Sequence, residues 1–271
     1  MTTSVVHVAS AEEPASSLYQ VPQHRDRDRE RDRAELRVGG ARLCIIVPAF
    51  QAAESLDLVL SDLLTTFDCA PASILVVDDG STDATADVAR SRGVHVVRYS
   101  ENRGKGAALE RGLREADALG FDVAITVDAD GQHPAAAARE LMVVSDDPAA
   151  LVLGVRDLVR DGAPKKNQIS NGISNFFLSL FSGTSLKDTQ CGLRRYPVKA
   201  TLALGTRARG YAFEAEVILR ALGAGVPVVE HTVRVIYPPE ETRVTHFDSV
   251  RDPMRIVGTV VRTLYDLRRS R

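Results

Sequence analysis

The run Val127-Asp128-Ala129-Asp130-Gly131-Gln132-His133 carries two carboxylates at i and i+2 and an amide oxygen at i+4, directly after an apolar segment. At a strand end those oxygens can converge on one hard cation, Mg²⁺ or Mn²⁺, which takes few protein oxygens and fills its remaining positions with water and phosphate. The competing reading is an Asx turn that starts the helix after Pro134. Two uncompensated acids are costly without a cation, which weighs toward metal. His133 suits a supporting or helix-start role better than ligation. A second run, Val76-Val77-Asp78-Asp79-Gly80-Ser81-Thr82-Asp83, also closes an apolar stretch with acids. Helix capping accounts for Ser81, Thr82 and Asp83, whereas Asp78 and Asp79 suit hydrogen bonding to a base or ribose. A third, Glu101-Asn102-Arg103-Gly104-Lys105-Gly106-Ala107, sets glycines and cations at a helix N-terminus, a favourable place for a phosphate. It is neither a Walker A sequence nor a dinucleotide fingerprint.

The elements that must position these residues are legible as alternating patterns. Leu43–Val47, Ile74–Val77, Val94–Val97 and Val123–Val127 are short β-rich runs ending at turn residues, with Leu151–Leu153 a weaker case. Helical patterns fill about 53–66, 83–92, 104–119 and 134–145. Continuous apolar strands alternating with helices predict a mostly parallel sheet covered on both faces, with its ligand site at the carboxyl ends of the strands. Beyond residue 155 the alternation breaks. Residues 165–183 are amphipathic at helical spacing, a helix fits 210–222, a strand 226–237, and an amphipathic helix about 253–268. The expected organisation is a disordered polar tail over 1–40, centred on the Arg/Asp alternation of 25–33, one domain over 41–250, and a basic amphipathic helix within 251–271.

The 271 residues carry a net charge of −2 and 44% hydrophobic side chains, ordinary globular composition that excludes disorder across the whole chain. Three scattered cysteines have neither disulfide nor zinc spacing and read as small buried hydrophobes. The longest apolar run, Leu43 to Phe50, is too short to span a bilayer, and no signal peptide is expected from the N-terminal residues. An isoelectric point near 6.3 and 5% aromatic residues argue against nucleic acid as a partner. The charge is uneven: residues 1–155 net −10, 156–209 net +7 and 210–271 net +1. The basic block points to an anionic ligand or surface, with a solvated face as the alternative.

The stretches IIVPAF, VVDDGSTD, NRGKGAA and VDADGQHP, in that order over about residues 42–250, resemble glycosyltransferase family 2 and its nucleotide-binding GT-A fold. Within it, Gly154-Val155-Arg156, Asp188-Thr189-Gln190-Cys191-Gly192-Leu193-Arg194 and Tyr211-Ala212-Phe213-Glu214-Ala215-Glu216 are most similar to the polyprenyl (dolichyl) phosphate mannosyl- and glucosyltransferases. The resemblance implies an α/β GT-A sheet with C-terminal amphipathic helices, and a metal-dependent hexosyltransferase using GDP-mannose or UDP-glucose. Pro48, Phe50, Asp78, Asp79, Lys105 and Asp128 would contact the donor, and Asp128, Asp130 and Gln132 would hold Mg²⁺ or Mn²⁺. Arg156, Lys166, Ser170 and Arg243 would contact the phosphate of a polyprenyl phosphate acceptor, mostly within the basic block. Asp130, Arg156 and Asp188 would be the catalytic set, with Asp188 and Gln190 organising the acceptor side. Two departures stand out: Phe50-Gln51-Ala52 replaces the family's usual Tyr-Asn-Glu, and Lys166 replaces a usual arginine, losing bidentate geometry.

A phosphate monoester is already an oxyanion at neutral pH, its second pKa being near ~6, so inverting transfer to it needs no general base. A saccharide or small-molecule hydroxyl acceptor, the second reading, needs one, and Asp188, Glu214 or Glu216 are the candidates. A nucleotide-sugar-binding protein without turnover is the third. The expected location is cytoplasmic, peripheral to the membrane face. Residues 169–181 and the C-terminal helix either lie in the interface or pack on the sheet, and a membrane subunit is an alternative means of docking.

Overall fold

Ala41–Ala49 forms β2, the strand on which the sheet is built; from Leu43 to Ala49 every residue is buried. Its side chains alternate between two cores, Ile45 and Val47 on one face, Cys44 and Ile46 on the other. The computed structural model describes residues 35–208, 210, 212–237, 258–260, 262–263 and 266. Ahead of β2, Arg37–Val38 is β1, antiparallel to it, with Leu36 and Val38 buried, so this strand falls within the stretch expected to be a disordered tail.

The order continues α1 (Ala53–Phe67), β3 (Ile74–Asp78), α2 (Thr85–Ser91), β4 (His95–Arg98), α3 (Lys105–Ala118), β5 (Val123–Thr126), α4 (Ala135–Val143) and β6 (Leu151–Arg156). Then come α5 (Lys165–Ser182), β7 (Arg194–Pro197), α6 (Val198–Ala203), α7 (Ala212–Gly223) and β8 (Val228–Val233). The sheet runs β4-β3-β2-β5-β7-β6-β8. Pairings β2–β3, β2–β5, β3–β4 and β6–β8 are parallel. Only β7 runs against its neighbours β5 and β6 along this path. The strand expected over 226–237 is the shorter β8, and the weak 151–153 pattern is a full strand extending to Arg156.

Direction is what matters for the site. β2, β3, β5 and β6 all end on one side of the sheet, and β7, being antiparallel, begins there. Asp188–Gly192, just ahead of β7, is thereby delivered to the same edge. α1 and α4 cover one face, through Leu56, Leu60, Leu63, Ala138 and Leu141. α3 and α7 cover the other, through Leu109, Leu113, Phe213 and Val217. Gly112 lets α3 lie close on the sheet, since a Cβ there would stand 2.6 Å from Ile46 Cγ2. All three cysteines are free and buried, as expected.

The basic block divides on folding. Arg194 and Arg195 are wholly buried. Arg194 donates to the carbonyls of Cys191, Glu214 and Thr189 at 2.8 Å each. Arg195 donates to those of Leu141, Met142, Ser145 and Asp147 at 2.7–3.1 Å, satisfying the carboxyl end of α4. These two cations are structural, so the charge count overstated what the block presents to a ligand. Arg160, Lys165, Lys166 and Lys187 remain exposed.

Candidate active site

The loops at the carboxyl edge are braced by their own polar residues. After β2, Gln51 takes a left-handed φ of 51°. Its backbone N–H donates to Ser81 Oγ at 3.0 Å, and its amide oxygen accepts from the backbone of Thr82 and Asp83. Gln51 therefore ties the β2 loop to the β3 loop, a positioning role that sequence reading had not assigned; its place in the departed Tyr-Asn-Glu motif was the only signal. Pro48 sits within β2 and Phe50 directly after it, at the mouth of the same edge.

After β3, Asp78 is fully buried, accepts from the Ser81 N–H at 2.9 Å and pairs with Arg98 Nε at 3.1 Å. Asp79 receives the backbone N–H groups of Arg103 and Gly104 at 2.8 and 2.7 Å, and burial pushes its carboxyl upward. Both acids thus hold the turn and the loop leading into α3. Gly80 at the turn has φ +76°, and a Cβ there would fall 2.4 Å from the Glu101 carbonyl carbon, so only glycine fits.

After β5 the carboxylates stand in unlike surroundings. Lys105, from the first turn of α3, places Nζ 2.8 Å from Asp128 Oδ1 and 3.3 Å from Glu214 Oε1 of α7. Burial pushes the Asp128 carboxyl up, but the charge and hydrogen bond of Lys105, together with His133 and Arg156, hold the group below the usual carboxylate range. Asp130 accepts the Gln132 N–H at 3.0 Å, so the Asx turn that competed with the metal reading is formed, by one oxygen. Its side chain still reaches solvent, yet the protein packed behind it, and then the Asp128 charge, push it up to about 6. His133 is buried, and burial lowers it to about 4, so the ring is neutral at pH 7. The donor set is therefore two mutually repelling carboxylates and the half-buried Gln132 amide, all oxygen, which fits a hard divalent cation. Gly192 backs it closely: a Cβ there would stand 2.3 Å from Asp128 Oδ2 and 2.6 Å from Lys105 Nζ.

Arg156, at the end of β6, is gripped by Asp188 through Nε–Oδ2 at 2.7 Å and Nη2–Oδ1 at 3.0 Å. The Asp188 side chain has no exposure, and it also accepts the backbone N–H groups of Arg156 and Gln190. Gln190 donates to Ser170 Oγ of α5 at 3.3 Å, which joins this pair to the helix. Lys166 is exposed one turn earlier on α5, while Ser170 is buried. Arg156, Gln168, Asn171, Asn175 and Lys187 line an open cleft of about 400 Å³ beside them. Arg243 lies outside the described residues, as do Tyr211 and most of the C-terminal helix.

Residues 44–201 match the family described as Glycosyl transferase family 2. The chain is 32% identical over 202 residues to the undecaprenyl-phosphate mannosyltransferase of Micrococcus luteus, covering 70% of this chain and 81% of the other. It is 29% identical over 223 residues to the polyprenol monophosphomannose synthase of Mycolicibacterium smegmatis, covering 78% and 83%. Among solved structures, the glucosyl-3-phosphoglycerate synthase of Mycobacterium tuberculosis in complex with Mn²⁺, uridine-diphosphate and glucosyl-3-phosphoglycerate superposes with a TM-score of 0.64 at 18% identity, over 83% of this chain and 81% of that one. At that identity the likeness speaks for the fold, which is of the GT-A type.

Proposed function

Because the chain belongs to glycosyltransferase family 2, we propose that it transfers a hexose, with inversion, from GDP-mannose or UDP-glucose to a polyprenyl phosphate at a membrane face. The observation that carries the acceptor class is the engagement of the three carboxylates, Asp188, Glu214 and Glu216, that stand as candidate bases for a hydroxyl acceptor. Asp188 is locked to Arg156. Glu216 accepts from the backbones of Arg207 and Ala208 and from Arg220 Nε. Glu214 is buried and faces Lys105. A phosphate acceptor, already an oxyanion, needs none of them. Relatives named as polyprenyl phosphate sugar transferases support the same class.

On this reading Asp128, Asp130 and Gln132 would hold the divalent ion, Mg²⁺ or Mn²⁺, which when bound supplies a Lewis acid against charge building on the departing diphosphate. Lys105, at the helix N-terminus beside them, adds a second positive charge toward the donor phosphates. Asp78 and Asp79, by fixing the β3 turn and the loop into α3, shape the wall for base and ribose, with Pro48 and Phe50 on the neighbouring strand β2 and the loop after it. Asp188 aims the Arg156 fork, and Lys166, Ser170 and Arg243 complete the acceptor phosphate contacts. The deciding experiment presents radiolabelled GDP-mannose or UDP-glucose to undecaprenyl phosphate and, separately, to saccharides. Label in the lipid fraction is expected; label in saccharide alone would replace this acceptor by a hydroxyl.

A further inference from the structure

We propose that the outer face of α5 is the surface by which this chain lies on an anionic lipid bilayer. The proposal names the partner of the acceptor side and rests on the reading of the acceptor as a lipid phosphate. A helix packed on a sheet in water turns its apolar arc inward. α5 does the reverse. Ser170, Asn171 and Ser174 are buried at 4%, 4% and 3% exposure, while Ile169, Ile173, Phe176 and Leu180 stand outside at 64%, 44%, 62% and 61%. The exposed four are spaced i, i+4, i+7 and i+11, which makes a single stripe along the helix. The inversion is fixed by hydrogen bonds rather than by a helix free to roll. Ser174 Oγ meets Thr189 Oγ1 at 2.9 Å, Thr189 donates to Asn175 Oδ1 at 2.9 Å, and Gln190 donates to Ser170.

Charge selects the occupant. Across its 18 residues α5 has no carboxylate, and its cations, Lys165 and Lys166, are both exposed in the first turn. In helical projection they flank the apolar stripe. Lys187 is exposed nearby, Arg160 is paired with Asp161 at 2.8 Å, and Val159, just ahead of the helix, is 77% exposed. A second copy of α5 would bring Lys165 and Lys166 with no carboxylate on the helix to answer them, whereas anionic headgroups supply the missing charge and acyl chains take the stripe. The inner side of the same helix, through Gln168 and Asn171, lines the cleft that contains Arg156 and Lys187. A bilayer against the outer side therefore sets headgroup phosphates at the rim of the cleft.

The test sediments the full chain with vesicles of phosphatidylcholine containing about 30% phosphatidylglycerol. Binding is expected, weaker on pure phosphatidylcholine and weaker in high salt, with Phe176→Glu/Leu180→Glu lowering partitioning at least about tenfold at an unchanged melting temperature. Ile173→Ser, a gentler change, lowers it in the same direction. Unchanged partitioning of the double variant overturns the proposal, as does a solution dimer, seen by light scattering, that these substitutions dissolve without any vesicle binding. Transfer to a short, water-soluble prenyl phosphate separates the two readings. If the variant keeps that turnover and loses turnover on vesicle-embedded acceptor, docking is supported. Vesicle binding without transfer to any prenyl phosphate overturns the acceptor class and leaves the docking face standing.

Discussion

Asp128 and Asp130, two residues apart, are neutralised unequally: Lys105 answers the first, while the second has one backbone N–H and the repulsion of its neighbour. Asp130→Asn keeps an acceptor for the Asx turn and removes the charge. Mn²⁺-dependent thermal stabilisation is expected to vanish and transfer to fall at least ~100-fold, while the metal-free melting temperature stays where it was. Arg156 presents the opposite balance. Arg156→Ala strands the Asp188 carboxylate without its counter-charge in a fully buried place, and about 3–5 kcal/mol of stability should be lost, read as a lower urea midpoint at constant m. The pair also has a pH signature. Burial alone would raise Asp188, but Arg156 outweighs it and holds the carboxyl below its usual value. A folded-state value below the unfolded one, about 3.9, gives stability that is full above that pH and lost as pH falls through the folded value. Wild type should therefore lose stability steeply below about pH 4, and Arg156→Ala should lack that segment of the curve.

At the level of elements, β7 explains both what the sequence withheld and what it disclosed. β2, β3 and β5 were readable because strands buried on both faces must be apolar throughout, and Ile45-Ile46-Val47, Leu75-Val76-Val77 and Val123-Ala124-Ile125 are. Arg194-Arg195-Tyr196-Pro197 has the look of a surface segment, yet it is buried, since its guanidinium groups find carbonyls that only the finished fold brings near. The same blindness misjudged the basic block, and it left the apolar face of α5 open between core and exterior: periodicity gives the stripe, not the side on which the sheet lies. Asp128, Asp130, Asp188 and Arg156 were visible because their types and turn positions are local facts, whereas the bracing of the loops by Gln51 and Asp79 depends on contacts 24 to 32 residues distant. Arg195→Met tests the buried-strand account. Two carbonyls in the last turn of α4 and two in the loop after it would lose their donor, at a cost of roughly 3 kcal/mol and a lower melting temperature, with metal binding retained.

Over the whole molecule, one antiparallel strand in an otherwise parallel path adds the loop ahead of it to the edge where β2, β3, β5 and β6 end. On the proposed function, the donor side follows β2, β3 and β5, and the acceptor side follows β6 and precedes β7. Donor, cation and folded state should then be thermodynamically linked, because Asp128 and Asp130 repel, a cation held between them would relieve that repulsion, and a diphosphate would supply charge to a cation so held. A ligand that binds only the folded chain stabilises it by about 2.7 kcal/mol at a hundredfold excess over its Kd, roughly 5–10 °C in a chain of this size. In a thermal-shift panel of GDP-mannose, UDP-glucose and their free sugars, with Mn²⁺ or with EDTA, one nucleotide sugar should give such a shift, EDTA should remove most of it, and free hexose should give none. Equal shifts with and without Mn²⁺ would mean that Lys105 and the α3 N-terminus hold the diphosphate alone. The acidic pair after β5 would then be turn structure rather than a cation site.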